Sequence, residues 1–335
     1  MARRVTSFDV AALAGVSQPT VSRALRNLPG TAPETREKVL RAAAELSYVT
    51  SDRGRALSTS STRRIAVVAA ELTNPYYPEL VEPLRRELAR HGYRTVLVAD
   101  GDDLVDGSYD GVVLTTTTRH SALPRDLTER GVPHVLANRL LDQPESPGCA
   151  IDNQAGMRAV ADLLAGLGHT RIGAVHGPVD TSTGRERADG LRAGLRRHGL
   201  HLRRAHVRRV PFSHDAACAA TSELLGLDDP PSAIVCGNDV IAIGALSAAR
   251  QLRKRVPEDL TVVGFDDIPA AGWPLIALTT MRCDLTELAR NAVELLLDQI
   301  AGAAGGFPQR RLPPVLVERG THAGPAPAAT ADRRC

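Results

Sequence analysis

No apolar run in this sequence approaches the ~20 residues that a bilayer-spanning helix needs, so an α-helical membrane protein is not expected. The opening MARRVTSFDV has two arginines and no apolar core, so it does not read as a secretory leader. Cysteine is scarce and scattered. Cys149, Cys218, Cys236, Cys283 and Cys335 are odd in number and form no C-x-x-C pair. That argues against a disulfide framework or a cysteine zinc site and fits a reducing cytoplasm. The ten histidines do not cluster at metal-ligand spacing. No phosphate-binding glycine loop, no G-x-G-x-x-G after a strand and no G-x-S-x-G elbow is present, which removes the common nucleotide-dependent and acyl-transfer enzymes. No metal, cofactor or catalytic residue is therefore expected.

What is present is unevenly placed. The chain has 335 residues, 43% hydrophobic and 24% charged, an ordinary composition for two or three globular domains. The net charge of +3 conceals a polarity. Residues 1–64 carry eleven Arg and Lys against five Asp and Glu, while the remainder carries thirty against thirty-three. A basic head on a mildly acidic body suits a nucleic-acid contact at one end.

Residues 1–48 form a first domain, in which 5–48 read as three short helices. Thr6 can cap the first, with Asp9 in the N3 position; Gly15 permits a tight turn. Ser17 can cap the second, and Pro19 falls in its first turn, where a missing N–H does little harm. Asn27, Pro29 and Gly30 break it, and Pro33 opens the third. Buried stripes are expected at Val10, Leu13 and Ala14, at Val21 and Leu25, and at Val39, Ala43 and Leu46. Residues 49–64, rich in Ser, Thr and Arg, form a linker. Residues 65–320 alternate short apolar runs with amphipathic stretches, the signature of parallel sheets covered on both faces. Their length fits two lobes. The Ala/Pro-rich residues 321–335 read as a disordered tail.

Helix, tight turn and helix is the geometry that lays a second helix into a major groove. The outward positions of that helix, Gln18, Thr20, Ser22 and Arg23, are competent to read base edges or phosphates. Arg3, Arg4 and Arg26 are further phosphate candidates. The stretch VTSFDVAALAGVSQPTVSRAL, followed by ETREKVLRAAAELSY, resembles the DNA-binding head of the LacI/GalR family of bacterial repressors. NPYYPELVEPL, AIDNQAG, HTRIGAVHGP, GRERADGLRAGL, GNDVIAIGAL, RVPEDLTVVGFDD and ALTTMRCD resemble family segments in family order, to about Thr321.

The resemblance implies an all-α helix-turn-helix domain followed by an α/β, two-lobed body like the periplasmic sugar-binding proteins. It implies a homodimer or larger oligomer on a pseudo-palindromic double-stranded operator, with a small-molecule effector, most simply a carbohydrate, in the cleft. It places Gln18, Pro19 and Arg23 at base-reading positions and Thr20 and Ser22 at phosphate positions. Thr6, Ser17 and Asn27 complete the DNA-binding set, and Leu57 matches the leucine that the family inserts into the minor groove. The linker departs from the family pattern: Tyr48-Val49-Thr50-Ser51 lacks the usual proline, and Gly54 falls inside the expected hinge helix.

In open parallel sheets, ligands sit beyond the carboxyl ends of the strands. Those ends carry Asn74, Tyr76 and Tyr77, the Thr115–Thr118 run, Asn138 and Arg139, Asn238 and Asp239, and Asp266 and Asp267. Arg187 lies on the following helix and Trp273 just beyond. In the family pattern Arg187 and Asp266 hold the effector, then Asn238, then Tyr76, Phe212 and Trp273, with Tyr77 and Arg139 beside them. Asp239 reads equally as a helix cap. Between Val98 and Gly111 the chain is too short for the helix the family has there, so one side of the first sheet is expected to be exposed. A DNA-binding protein with an unresponsive sensor is the competing reading that this departure favours.

Overall fold

A computed structural model describes residues 5–25, 27–48, 61–101, 104, 107–303 and 305–326. Arg3, Arg4, Arg26, Gly54 and Leu57 lie outside the described residues. The chain divides into two compact units, one ending at Thr62 and one beginning at Arg63.

The first unit contains α1 (Ser7–Ala14), α2 (Gln18–Leu25) and α3 (Pro33–Glu45). Thr6 and Asp9 close a reciprocal capping box at the start of α1, with the Thr6 N–H donating to the Asp9 carboxylate at 2.8 Å. Gly15 ends α1 at φ 66°, a left-handed conformation that glycine adopts without a Cβ penalty. Ser17 Oγ accepts from the Thr20 N–H at 3.4 Å at the start of α2. Val10, Ala11, Val21, Ala24, Val39, Ala42 and Ala43 form the small core. Leu13, expected inside, is 46% exposed. Alanines take much of the interior, so the three helices approach closely.

The second unit carries the strands β1 (Arg64–Val68), β2 (Arg94–Val98), β3 (Gly111–Leu114), β4 (His134–Ala137), β5 (Gly148–Ile151), β6 (Ile172–His176), β7 (Val207–Arg209), β8 (Ala233–Cys236), β9 (Thr261–Val263), β10 (Thr280–Arg282), β11 (Gln309–Leu312) and β12 (Val315–Val317). Its helices are α4 (Tyr76–Arg90), α5 (Leu123–Glu129), α6 (Asn153–Gly166), α7 (Ser182–Arg197), α8 (His214–Leu225), α9 (Asp239–Gln251) and α10 (Leu285–Ile300). One sheet runs β11-β5-β4-β3-β1-β2 and a second runs β7-β6-β8-β9. Every pairing in both is parallel, with Val67 opposite Leu97 on one side and Val113 on the other. β10 and β12 form a separate antiparallel pair.

Parallel strands covered on both faces must be apolar at successive positions. In β1, Ile65 and Val67 belong to the core containing Leu80, Leu84 and Leu88 of α4 and Leu288 and Leu296 of α10, while Ala66 and Val68 join Leu127 of α5. Each such leucine contributes roughly 1.5–3 kcal/mol by burial. In the second lobe, α6 and α7 cover one face through Met157, Val160, Leu164, Leu191 and Leu195. Two glycines set the spacing of that helix pair. A Cβ on Gly190 would stand 2.7 Å from the Gln154 backbone, and one on Gly194 would stand 2.6 Å from Ala161 Cβ.

The lobes are not successive segments. The chain leaves the first sheet after β5, returns through α10, which packs on α4 and on β3, β4 and β5, and leaves again after β11. The expected exposure of the first sheet is confined. The described residues between β2 and β3 form no α-helix, but Leu104 from that segment and Leu127 bury the sheet face there. Leu97, pointing to the opposite side of the edge strand, is 45% exposed.

The tail does not begin at Thr321. That residue is buried; its hydroxyl donates to the Val262 carbonyl at 2.7 Å and accepts from the Thr279 N–H at 2.9 Å. The Ala323 carbonyl accepts from Thr261 at 2.8 Å. Composition misplaced the boundary because these contacts use backbone and two small hydroxyls rather than large apolar groups. Thr321→Val keeps the shape but strands a buried donor and acceptor. It is expected to cost roughly 1–3 kcal/mol in urea unfolding, and an unchanged midpoint would show that the segment is not anchored.

Candidate DNA-reading helix and effector cleft

In the first unit, Ser17, Pro19, Arg23 and Asn27 are exposed and Gln18, Thr20 and Ser22 are half-buried. Asn27 takes φ 56°, a backbone conformation that asparagine tolerates well. Several hydroxyls already have local work. Thr6 donates to Asp9 at 2.7 Å, and Ser17 and Thr20 share a 2.8 Å contact. Pro19 and Arg23 remain the prominent outward groups of α2: one apolar surface suited to a thymine methyl and one fork of donors suited to guanine or phosphate.

In the second unit, the strand ends of the two lobes face one cleft. Asn74, Tyr76, Tyr77, Asn138 and Arg139 line it from the first lobe, and Thr183, Arg187, Phe212, Asn238 and Asp266 from the second. Arg187 Nε donates to Asn153 Oδ1 at 2.8 Å, one terminal nitrogen donates to the Gly237 carbonyl at 2.7 Å, and the other to Asp266 Oδ1 at 2.8 Å. Its guanidinium carbon lies 3.9 Å from the Phe265 ring centroid. Asp266 is held at φ 118° and Asn138 at φ 78°. Such backbones cost about 1–3 kcal/mol each and persist where surrounding contacts over-determine them.

Burial is the main cause that pushes the Asp266 carboxyl above its usual range, with Arg187 pulling it back. The hydroxyls of Tyr76 and Tyr77 are also raised, by burial first. Tyr76 donates to Asn138 Oδ1 at 3.0 Å, so an amide and a phenol are oriented together. The free space left among these groups is about 10 Å³, on the order of one water molecule.

Seven of the expected effector residues, Tyr76, Tyr77, Arg139, Arg187, Phe212, Asn238 and Asp266, meet here. Trp273 does not. It follows a tight turn at Pro269–Gly272, is 59% exposed and is absent from the cleft lining, so proximity in sequence to the strand-end aspartates misled. Asp239 is neither ligand group nor cap. Asn238 caps α9 through the Ile241 N–H at 3.0 Å, and Asp239 is fully buried, accepting from the Thr280 hydroxyl and the Ile268 N–H. Asp267 is committed to Arg282 and Arg319. Thr115 donates to the Val68 carbonyl, as a loop brace would. Asn153 was missed, although it heads the helix after β5, where a strand-end rule points. Among the described residues no group of three His, Cys, Asp or Glu side chains is placed to hold a metal, and no helix is long and apolar enough to cross a membrane.

A helix-turn-helix unit on one chain with a two-lobed α/β body, whose strand ends converge on a polar and aromatic cleft, defines a ligand-responsive transcription regulator. The chain belongs to the lacI family of bacterial regulatory proteins. Residues 8–51 match that family, and residues 161–322 match the periplasmic binding protein-like domain. It is 34% identical over 331 residues to the HTH-type transcriptional repressor CytR of Escherichia coli (strain K12), spanning 94% of this chain and 96% of that protein. It is similar to the lac repressor dimer bound to operator and the anti-inducer ONPF, with TM-score 0.86 and 26% identity over 96% of this chain and 100% of that one. It is also similar to the transcriptional regulator CelR–cellobiose complex, with TM-score 0.74 and 31% identity over 95% and 100% of the two chains.

The pairing of Arg187 with Asp266 generates a stability test. Arg187→Met leaves a buried carboxylate without its cation and is expected to cost roughly 3–5 kcal/mol in urea unfolding. Adding Asp266→Asn removes the stranded charge and should recover a large part of that loss. A double variant as unstable as the single one would show that the pair is not the relevant interaction.

Proposed function

We propose that this protein binds a pseudo-palindromic DNA operator as a homodimer, reading bases with α2, and that a sugar or sugar derivative in the cleft alters its grip. It works as a repressor in the cytoplasm and catalyses no reaction. One observation carries the reading: a helix with outward Pro19 and Arg23 and a cleft built on Arg187 and Asp266 occur in one chain. Gln18, Pro19 and Arg23 read base edges; Thr6, Ser17, Thr20, Ser22 and Asn27 position the phosphates; Leu57 wedges the minor groove. The effector side is supported by relatives: the CelR neighbour is a cellobiose complex, and the lac repressor neighbour holds ONPF on its operator.

Binding of a ligand to one lobe arrangement shifts operator affinity only by its preference for that arrangement over others. A ligand that touches both lobes, rather than one, therefore carries the response. Arg187 and Asp266 hold the second-lobe wall in register, while Tyr76 and Asn138 do so for the first.

Arg23→Ala is expected to weaken a selected operator by roughly 1–3 kcal/mol and relax sequence preference in gel shifts. Unchanged specificity would remove Arg23 from the reading set. A thermal-shift panel of sugars, sugar acids, sugar phosphates and nucleosides should show an effector stabilising the fold by about 2.7 kcal/mol at a hundredfold excess over Kd. Asp266→Asn should keep operator binding and abolish the effect of that ligand; a retained response would move the site elsewhere.

A further inference from the structure

The cleft contains a buried cation that the Arg187–Asp266 pair does not use. Arg139 follows β4 and is 1% exposed. Its guanidinium carbon stands 5.6 Å from the ring centroid of Tyr77, in the first lobe, and 5.6 Å from that of Phe212, in the second. A guanidinium within cation–π range of two rings, one from each lobe, is held in place from both sides of the cleft. Its carboxylate partner is Glu71, on the loop after β1, which accepts from both terminal nitrogens at 2.8 and 2.9 Å. The Glu71 side chain is 37% exposed. Arg139 Nε is buried and has no partner among the described residues.

These contacts differ in what it costs to break them. Taking the carboxylate away from a guanidinium this deep leaves an uncompensated buried charge, which is among the costliest defects in a protein interior. Glu71, already partly in water, loses little by swinging out. A neutral ligand that displaces Glu71 is opposed by the orphaned Arg139. A ligand with its own carboxylate or phosphate avoids that penalty: it takes over the two prongs and can engage the spare Nε donor as well. Asp266, the other cleft carboxylate, is matched by Arg187 and does not repel it.

We propose that Arg139 is the specificity-determining residue of the cleft and that the effector is an anionic small molecule, a sugar acid or a sugar phosphate, which exchanges with Glu71 on the Arg139 guanidinium. This rests on the reading of the chain as an effector-responsive regulator. Tyr77 and Phe212 hold the guanidinium that carries the anionic group, and Asn238 and the Arg187–Asp266 pair read the hydroxyls of the ligand.

The test uses the full-length protein. Glucuronate and glucose 6-phosphate are expected to raise the Tm saturably, at least one of them binding about tenfold or more tighter than glucose. Which of the two binds tighter distinguishes a carboxylate from a phosphate ligand. In Glu71→Ala, which strips the native partner, acetate or inorganic phosphate at constant ionic strength should restore stability saturably. Glu71→Ala/Arg139→Gln should show no such rescue. If Glu71→Ala does not fold, Glu71→Gln takes its place with the same anions. Glucose binding as tightly as both sugar anions overturns the proposal, as does the absence of any Arg139-dependent anion response in the wild type and the Glu71 variant. Gel shifts on an operator selected from random DNA separate the two failures. Intact operator binding without the anion response defeats the role of Arg139 alone, whereas loss of operator binding in the wild type defeats the regulator reading.

Discussion

A guanidinium almost wholly out of water cannot stand without acceptors, and the second unit is arranged around giving Arg187 three of them. Asn153 comes from the helix after β5, the Gly237 carbonyl from the turn after β8, and Asp266 from the end of β9. Three segments far apart in sequence are thereby tied to one side chain. The unusual backbone at Asp266 follows from the same demand, because its carboxylate must reach Arg187 while the chain turns toward Ile268. Asp239 supports that turn from below. Its carboxylate receives the Ile268 N–H and the Thr280 hydroxyl, and a Cβ on Gly264 would collide with it. Polar groups in a cleft floor of this kind are costly when left unpaired, so the groups behind it matter as much as those that line it.

The discontinuous lobes have a related consequence. The first sheet is completed by β11 and covered by α10, both from the end of the chain, so neither lobe forms from one stretch of sequence. Three crossings join them, and polar bridges cross as well: Asp142 of the first lobe meets Arg185 of the second, and the Leu140 N–H donates to Ser182 at 3.0 Å. Exposed ion pairs contribute little individually.

Much of this was legible in the sequence because it rests on local chemistry. The capping box at Thr6 and Asp9, the turn at Gly15, and the alternation of apolar runs with amphipathic helices follow from residue spacing. The strand-end rule collected most of the cleft, since polar residues directly after buried strands have few other places to go. It failed where more than a strand end was involved. Trp273 is beyond a turn that leads away, and Thr321 is anchored by backbone bonds that composition does not register. Glu71 was not among the residues singled out. Its partner Arg139 lies 68 positions later and is brought to it by β4 pairing with β3 and β3 with β1.

That last pair shows why cleft chemistry cannot be read from lining residues alone. By inventory, Arg139 adds a cation and aromatic rings add a stacking surface, a description equally suited to a neutral sugar. By geometry, the cation is already within reach of both rings and already paired. The energy of any ligand there is then a difference between two pairings of one guanidinium, and the half-exposed carboxylate is the member that can leave at low cost. Selectivity in such a site comes less from the contacts a ligand adds than from the buried charge it must not strand.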